Sequence, residues 1–296
     1  MSETAFEYSL DLPNEQFDKT GEGLLGFDAR YARLEKRLRL IGDPAGLAKW
    51  ARGLYKGKIV PPIFELVGNQ YPLFIFEGDV GTGKTEFAKS AASRFCTSLR
   101  REGHFFALST RVRGGGHVGE ASLRINEAFV HITSHLGKSK FVFLLIDEAD
   151  SLLTTRAEQH SHLEDRVAVN TIIQKVDFLR QHGGRLIVFL ATNRLDSLDP
   201  AILRRTAMIE RFDRPNTDER KELLEKDLAG LELNAITIGK ATARTGPKDG
   251  SPGYTYSDFR TRLLPQIVSN AYPDGKISDK NVLDAISETK PSPRMS

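Results

Sequence analysis

Apolar positions along the chain follow two different periods. Leu73-Phe74-Ile75-Phe76, Phe105-Phe106-Ala107-Leu108-Ser109, Phe141-Val142-Phe143-Leu144-Leu145-Ile146 and Leu186-Ile187-Val188-Phe189-Leu190 are short, near-continuous apolar runs. They lack the alternation of a strand with one wet face, so they predict parallel strands buried on both faces. Around them, apolar residues recur every three or four positions, from Glu86 to Ala92, Ala121 to Leu136 and Leu163 to Gln181, which predicts amphipathic helices. Strands alternating with helices specify a doubly wound parallel α/β sheet. After Pro215 the strand signal fades. Thr217-Asp218-Glu219-Arg220 predicts the capped start of a helix running to Leu228. Further helices are predicted at Ser257 to Ala271 and Ser278 to Thr289, with a turn-rich linker at 246–253 before the first. Upstream, residues 1–20 carry Glu3, Glu7, Asp11, Glu15 and Asp18 and read as a mobile arm or a docked strand, and Tyr31 to Leu38 reads as a helix with a basic face. The expected division is an arm at 1–23, an α/β domain at 24–215 and a small helical lid domain with a tail at 216–296. No internal repeat or low-complexity tract is present.

Composition narrows the class. With 296 residues, 40% hydrophobic and 27% charged, the chain is long enough for one sizeable core and a smaller domain. Its single cysteine, Cys96, excludes an intrachain disulfide framework and a CxxC zinc site. The first residues lack a basic n-region and an apolar h-region, and the Phe141–Ile146 run is too short to cross a bilayer. A cytoplasmic protein with no membrane partner is expected. A formal charge of +3 is too small to imply nucleic acid, and no Lys/Arg run is interleaved with aromatics.

Chemistry enters at residues 78–85, Gly78-Asp79-Val80-Gly81-Thr82-Gly83-Lys84-Thr85, a full match to G-x-x-x-x-G-K-[ST] between a predicted strand and a predicted helix. Glycines turn backbone N–H groups toward phosphate oxygens, and the positive end of the helix opening at Glu86 adds to that field. Lys84 would reach the β/γ-phosphates and the Thr85 hydroxyl would ligate Mg²⁺. Asp147-Glu148 ends the Phe141–Ile146 strand, where ligands of open parallel sheets bind. Asp147 suits Mg²⁺, and Glu148 suits the polarising of an attacking water. At the next strand end Asn193 offers an amide to the γ-phosphate and that water. Arg204 and Arg205 close a short helix capped by Asp199, where an arginine would complete a neighbouring subunit's site. Arg205 is preferred over Arg204. ATP and Mg²⁺ are the expected cofactors.

Gly78–Thr85, Leu144-Leu145-Ile146-Asp147-Glu148-Ala149-Asp150, Ala191-Thr192-Asn193-Arg194 and Leu198-Asp199-Pro200-Ala201-Ile202-Leu203-Arg204-Arg205 together resemble the phosphate loop, Walker B, sensor 1 and arginine-finger segments of AAA+ ATPases. The resemblance covers roughly residues 24–272. It implies a homohexameric ring that hydrolyses ATP between subunits to move a polypeptide, with Gly26 and Phe27 contacting adenine and Gly116 to Glu120, centred on His117 and Val118, as the pore loop. Val169 to Asp177, Arg205 to Ile209, Arg214-Pro215 and Arg262 to Tyr272 are similar to the pachytene-checkpoint branch, the thyroid receptor-interacting protein 13-like ATPases. Members of that branch partly unfold HORMA-domain proteins, and short bacterial members accompany antiviral second-messenger systems. The implied partner is a HORMA-domain protein.

Departures from the pattern are as informative. His117 follows a triple glycine where many unfoldases carry an aromatic. The second arginine of Gly-Arg-Phe-Asp is missing, with Arg211-Phe212-Asp213 nearby in shifted register. Ser257 stands where some branches place the sensor 2 arginine, leaving Arg260 or Arg262 as substitutes. His131 and His135 share a helix face, but the intervening residues lack the glutamate of H-E-x-x-H, so a metal role is declined. His160 and His162 read as loop residues. The alternatives are an AAA+ protein acting on nucleic acid, of clamp-loader or initiator type, a generic protein unfoldase, and a non-hydrolysing nucleotide switch, which Glu148 and Asn193 disfavour.

Overall fold

The computed structural model describes residues 5–55, 61–109, 112, 119–137, 139–153 and 163–294. In chain order its elements are β1 (Phe6–Leu12), α1 (Glu15–Gly23), α2 (Phe27–Gly42), α3 (Pro44–Leu54), α4 (Pro62–Gly68), β2 (Leu73–Gly78), α5 (Lys84–Leu99), β3 (Gly103–Leu108), α6 (Glu120–Ser134), β4 (Phe141–Ile146), α7 (Ala149–Leu152), α8 (Leu163–Leu179), β5 (Leu186–Thr192), α9 (Pro200–Leu203), β6 (Met208–Phe212), α10 (Thr217–Asp227), α11 (Ala235–Arg244), α12 (Leu264–Ser269) and α13 (Asp279–Glu288). Contacts divide the chain into two units: Met1–Glu77 with Thr85–Arg211, and Gly78–Lys84 with Phe212–Ser296.

The sheet of the first unit has the order β1-β3-β4-β5-β2-β6. β3/β4, β4/β5 and β2/β5 pair in parallel, with Phe143 opposite Ile187 and Ile75 opposite Leu190. All residues of β4 and β5 are buried, the reason their sequences show no alternation. The period-two geometry sorts them by face. Leu73, Ile75, Val142, Leu144, Ile146, Leu186, Val188 and Leu190 form an aliphatic layer with Ile125, Phe129 and Ile132 of α6 and Val169, Ile172 and Val176 of α8. The opposite face is aromatic: Phe189 lies 5.9 Å from Phe74, 5.1 Å from Phe76 and 5.5 Å from Phe143 between ring centroids, while Phe87 and Phe95 of α5 pack edge-on against Phe76 and Phe141. Helices therefore cover both faces, as the doubly wound reading requires.

The first unit differs from the sequence reading in several places. The sheet is not wholly parallel. β1 adds to β3 antiparallel at the edge, with Tyr8 stacked on Phe105 at 6.3 Å and Asp11 bonded to His104 at 2.7 Å. Its exposed residues are Glu7, Ser9, Asp11 and the single apolar Leu10, since an edge strand is only partly covered. α1, α3, α4 and β6 are absent from the sequence reading.

The second unit is helical, built on Leu223, Leu224, Phe259, Leu263, Ile267, Val282 and Ile286. The cap of α10 is Asn216, one residue before the predicted start, with the Glu219 side chain returning to the Asn216 N–H in a capping box. The helix expected from Ser257 to Ala271 runs from Tyr256 to Ser269, with a π-helical turn at Asp258–Leu263 leading directly into α12. Pro265 has no N–H for the Thr261 carbonyl, so the regular ladder cannot run through this point.

Candidate functional site

The phosphate loop belongs to the second unit and is held from two sides within it. Gly81 has φ 76°, a left-handed conformation, and a Cβ there would stand 2.7 Å from Ser257 Cβ and 2.8 Å from Thr255 Oγ1. Only glycine fits. Ser257 N–H donates to the Gly81 carbonyl at 3.0 Å. At Gly78 a Cβ would meet the Phe212 carbonyl oxygen at 2.1 Å. Lys84 is buried, and its Nζ donates to the Gly78 and Asp79 carbonyls at 2.8 Å each, while Thr82 Oγ1 donates to the Asp79 carbonyl at 2.8 Å. The ammonium is thus pre-positioned over the loop. Asp79 accepts from Arg214, a partner the sequence pattern did not reveal. Val80 is exposed.

In the first unit, the residue that follows Lys84 meets the end of β4. Thr85 Oγ1 donates to Asp147 Oδ2 at 2.6 Å, although the two stand 62 positions apart. Hydroxyl and carboxylate so close form the all-oxygen donor set that a hard divalent cation takes. Asp147 Oδ1 accepts from the Glu148 N–H at 2.9 Å. Glu148 is exposed and has φ 47°, left-handed for a residue with a side chain, a conformation that costs on the order of 1–2 kcal/mol. Glu86, one position past Thr85, pairs with Lys89 at 2.7 Å.

The end of β5 is tied to the same acidic segment. Asp150 Oδ1 accepts from Thr192 Oγ1 at 2.8 Å and from the Asn193 N–H at 3.2 Å, so the carboxylate of α7 fixes where the Asn193 side chain begins. Asp150 had only its place in Asp-Glu-Ala-Asp to signal it. The two arginines after α9 differ. Arg204 is exposed and, among the described residues, makes no side-chain bond. Arg205 is held in place: Nε and Nη2 donate to Asp177 Oδ1 at 2.6 Å and Oδ2 at 2.9 Å, Nη1 donates to the Ala201 carbonyl at 3.0 Å, and the guanidinium lies 5.7 Å from the Tyr71 ring. Hydrogen bonding to Arg205 holds the Asp177 carboxyl below its ordinary value and raises Arg205 in return.

Other sequence-predicted residues divide similarly. Gly26, at φ 68°, is the N-cap of α2. The Phe27 ring is buried between Tyr31 and Phe87, so an adenine contact from this pair would use backbone. Ser257 touches the phosphate loop through its N–H, whereas Arg260 stands 3.5 Å from Asp227. His117, Val118, His160 and His162 lie outside the described residues. His131 and His135 pack their rings 4.8 Å apart against Phe106 and His104. No helix among the described residues is long and apolar enough to cross a membrane.

A hydroxyl–carboxylate pair of this kind, directly following a glycine-rich phosphate loop with its lysine, is the arrangement of a P-loop ATPase. The pattern of the AAA family, the ATPase family associated with various cellular activities, matches residues 74–214. CD-NTase-associated protein 6 of Escherichia coli strain KTE188 is 42% identical over 99% of this chain and 98% of its own length, and its counterpart in strain MS 115-1 is 35% identical over 97% and 95%. Among solved structures, a chain of the E. coli MS115-1 HORMA:CdnC:Trip13 complex superposes with a TM-score of 0.92 at 33% identity, over 100% of this chain and 99% of that one. Rhizobiales Trip13 gives 0.73 at 31% identity, over 97% and 99%. The chain belongs to the AAA ATPases, as a Trip13-like homologue of CD-NTase-associated protein 6.

Proposed function

We propose that the chain hydrolyses ATP with Mg²⁺ as a homohexameric ring and spends the work on partly unfolding a HORMA-domain protein that regulates antiviral second-messenger signalling. The observation that carries the catalytic part is the Thr85–Asp147 pair at 2.6 Å with Glu148 beside it. The partner follows from the relatives, one of which stands in a complex with HORMA and CdnC proteins. Gly78 to Glu86 would cradle the triphosphate, with Lys84 leaving the Gly78 and Asp79 carbonyls for its oxygens, and Gly26 and Phe27 would border the adenine. Thr85 and Asp147 would hold Mg²⁺, which would supply positive charge to offset the negative charge of the phosphates. Glu148 would accept a proton from the attacking water, Asn193 would orient that water, and Arg205, or Arg204 beside it, would complete a neighbouring subunit's site. Ser257 and Arg260 are the candidates for sensing nucleotide from the helical domain, and His117 and Val118 for gripping the substrate. The protein would work in the cytoplasm without nucleic acid.

The test is ATPase rate with a HORMA protein encoded beside the same system or with DNA. Stimulation by the protein alone is expected. Stimulation by DNA alone would move the assignment to the clamp-loader or initiator class. Glu148→Gln should bind ATP and abolish turnover, and an active Glu148→Gln protein would refute the role given to that residue.

A further inference from the structure

The second residue of the phosphate loop is an acid, which is electrostatically costly beside a triphosphate, and the structure surrounds it with a dedicated counter-charge. Asp79 Oδ2 accepts from Arg214 Nε at 2.7 Å and forms an ion pair with Nη2 at 2.7 Å. The Arg214 side chain is only 9% exposed, and three of its other N–H groups are also spent: Nη1 donates to the Gly253 carbonyl at 2.6 Å and the Ser292 carbonyl at 2.8 Å, and Nη2 to the Pro293 carbonyl at 3.0 Å. Four of the five guanidinium donors are therefore committed, and the charge itself faces Asp79.

Two of those acceptors lie on the segment that follows α13, and that segment is stapled elsewhere. Tyr254 OH donates to the Thr289 carbonyl at 2.7 Å. The buried Asp258 carboxylate accepts Ser292 Oγ at 2.6 Å, Ser292 N–H at 3.0 Å and Thr255 N–H at 2.9 Å. Two residues after Thr255, the Ser257 N–H bonds the Gly81 carbonyl. Residues 289–293 thus form a strap across the helical unit, and Arg214 is the hub joining strap and phosphate loop.

We propose that Arg214 is a positioning residue for nucleotide binding, neutralising Asp79 and fixing the loop, and that the strap at 289–293 is part of the nucleotide site's support. It does not touch the triphosphate. It removes a negative charge from the anion's surroundings and holds the loop backbone that the anion binds. This rests on the reading of 78–85 as the ATP site, and the experiment separates the two.

The full chain and its variants are titrated with a fluorescent methylanthraniloyl ATP in Mg²⁺ buffer, and ATP turnover is measured in parallel. Arg214→Ala should weaken nucleotide affinity about tenfold, the equivalent of one charge-assisted hydrogen bond, and raise KM more than it lowers kcat. Asp79→Asn in the Arg214→Ala background should recover most of that loss, because the unpaired charge is gone; a merely structural arginine would not be rescued this way. Removing residues 292–296 should weaken binding about threefold in the wild type and add little in Arg214→Ala, since both act through one hub. If Arg214→Ala does not fold, Arg214→Gln, which keeps hydrogen-bond donors but removes the charge, carries the same comparison with and without Asp79→Asn. A wild-type chain that binds no nucleotide overturns the reading of the loop. A wild type that binds, with Arg214 variants of equal affinity, with no rescue by Asp79→Asn, or with fully additive strap and arginine effects, overturns the inference alone.

Discussion

Replacing Arg205 by alanine tests the proposal that this arginine, and not its neighbour Arg204, acts across a subunit boundary. Three of the five Arg205 N–H groups are engaged within its own chain, by Asp177 and the Ala201 carbonyl, with Tyr71 beside the guanidinium. An arginine supplied in trans to a phosphoryl transition state contributes on the order of 10³ or more to kcat, so Arg205→Ala should lower turnover by about that factor. Folding should suffer far less. Arg205 and Asp177 side chains are 22% and 43% exposed, and a pair so open to solvent contributes roughly 0.5–1 kcal/mol. That corresponds to a melting shift of at most about 4 °C in a unit of this size. Asp177→Asn keeps the arginine but loosens it, and the same 0.5–1 kcal/mol predicts a loss of roughly two- to fivefold in kcat. The assay is phosphate release, repeated on mixtures of Arg205→Ala and Glu148→Gln chains. Each alone should be inactive, and mixtures should regain activity where an intact Glu148 faces an intact Arg205. A larger loss from Arg204→Ala than from Arg205→Ala, or no rescue at any ratio, would refute the assignment.

Further outcomes follow from other parts of the structure. Thr85→Val removes the hydroxyl bonded to Asp147 and should leave nucleotide binding measurable in the absence of Mg²⁺ while cutting Mg²⁺-dependent turnover at least about a hundredfold; unchanged turnover would count against the metal assignment. Phe189→Ala empties the centre of the aromatic layer and should cost about 3–5 kcal/mol, seen as a lower urea midpoint at similar slope. Burial alone would raise the Asp258 carboxyl, but hydrogen bonds from Ser292 and Thr255 outweigh it and hold the group below its ordinary value. A carboxyl lowered in the folded state stabilises fully above its unfolded value near 4, and that contribution is lost as pH falls through the folded value. Calorimetric melting should therefore decline below about pH 4, and Asp258→Asn should show a lower plateau with a shallower acid slope. Parallel acid slopes would remove Asp258 from the account.

The buried strands were legible because burial on both faces leaves a run with no polar interruption, as in Phe141 to Ile146. β6 was not, and β1 was legible only as one of two alternatives, a docked strand, for both lie at the sheet's edges, where half the positions face water and Tyr8 or Glu210 looks like loop sequence. Asn216 and Thr217 are both good caps, and residue type alone does not choose between neighbours. Chemistry was legible where it is contiguous: Lys84 with Thr85, Asp147 with Glu148. The positioning groups escaped because each pairs across a long stretch of chain, Asp177 with Arg205 over 28 positions, Asp150 with Thr192 over 42 and Asp79 with Arg214 over 135. Those separations carry no local period for a pattern to detect.

Glu148 joins these two kinds of information. Its identity is readable from the strand end, but its left-handed backbone is not, since glutamate ordinarily avoids that region. The conformation persists because the residues on either side are fixed: Asp147 by Thr85 and by the Glu148 N–H itself, and the first residues of α7 by the Asp150 bonds to Thr192 and Asn193. Strain held at one residue by satisfied neighbours sets the direction in which its carboxylate leaves the backbone. Substituting Asp150 by alanine removes one of those supports, and its bond from the Asn193 N–H, while leaving the Glu148 and Asn193 side chains in place. The expected result is a fall in kcat with nucleotide affinity retained, the signature of lost geometry at the reacting end of the site. A fall in affinity with kcat intact would mean instead that Asp150 shapes the binding of ground-state nucleotide, and that the backbone of Glu148 is held by α7 alone.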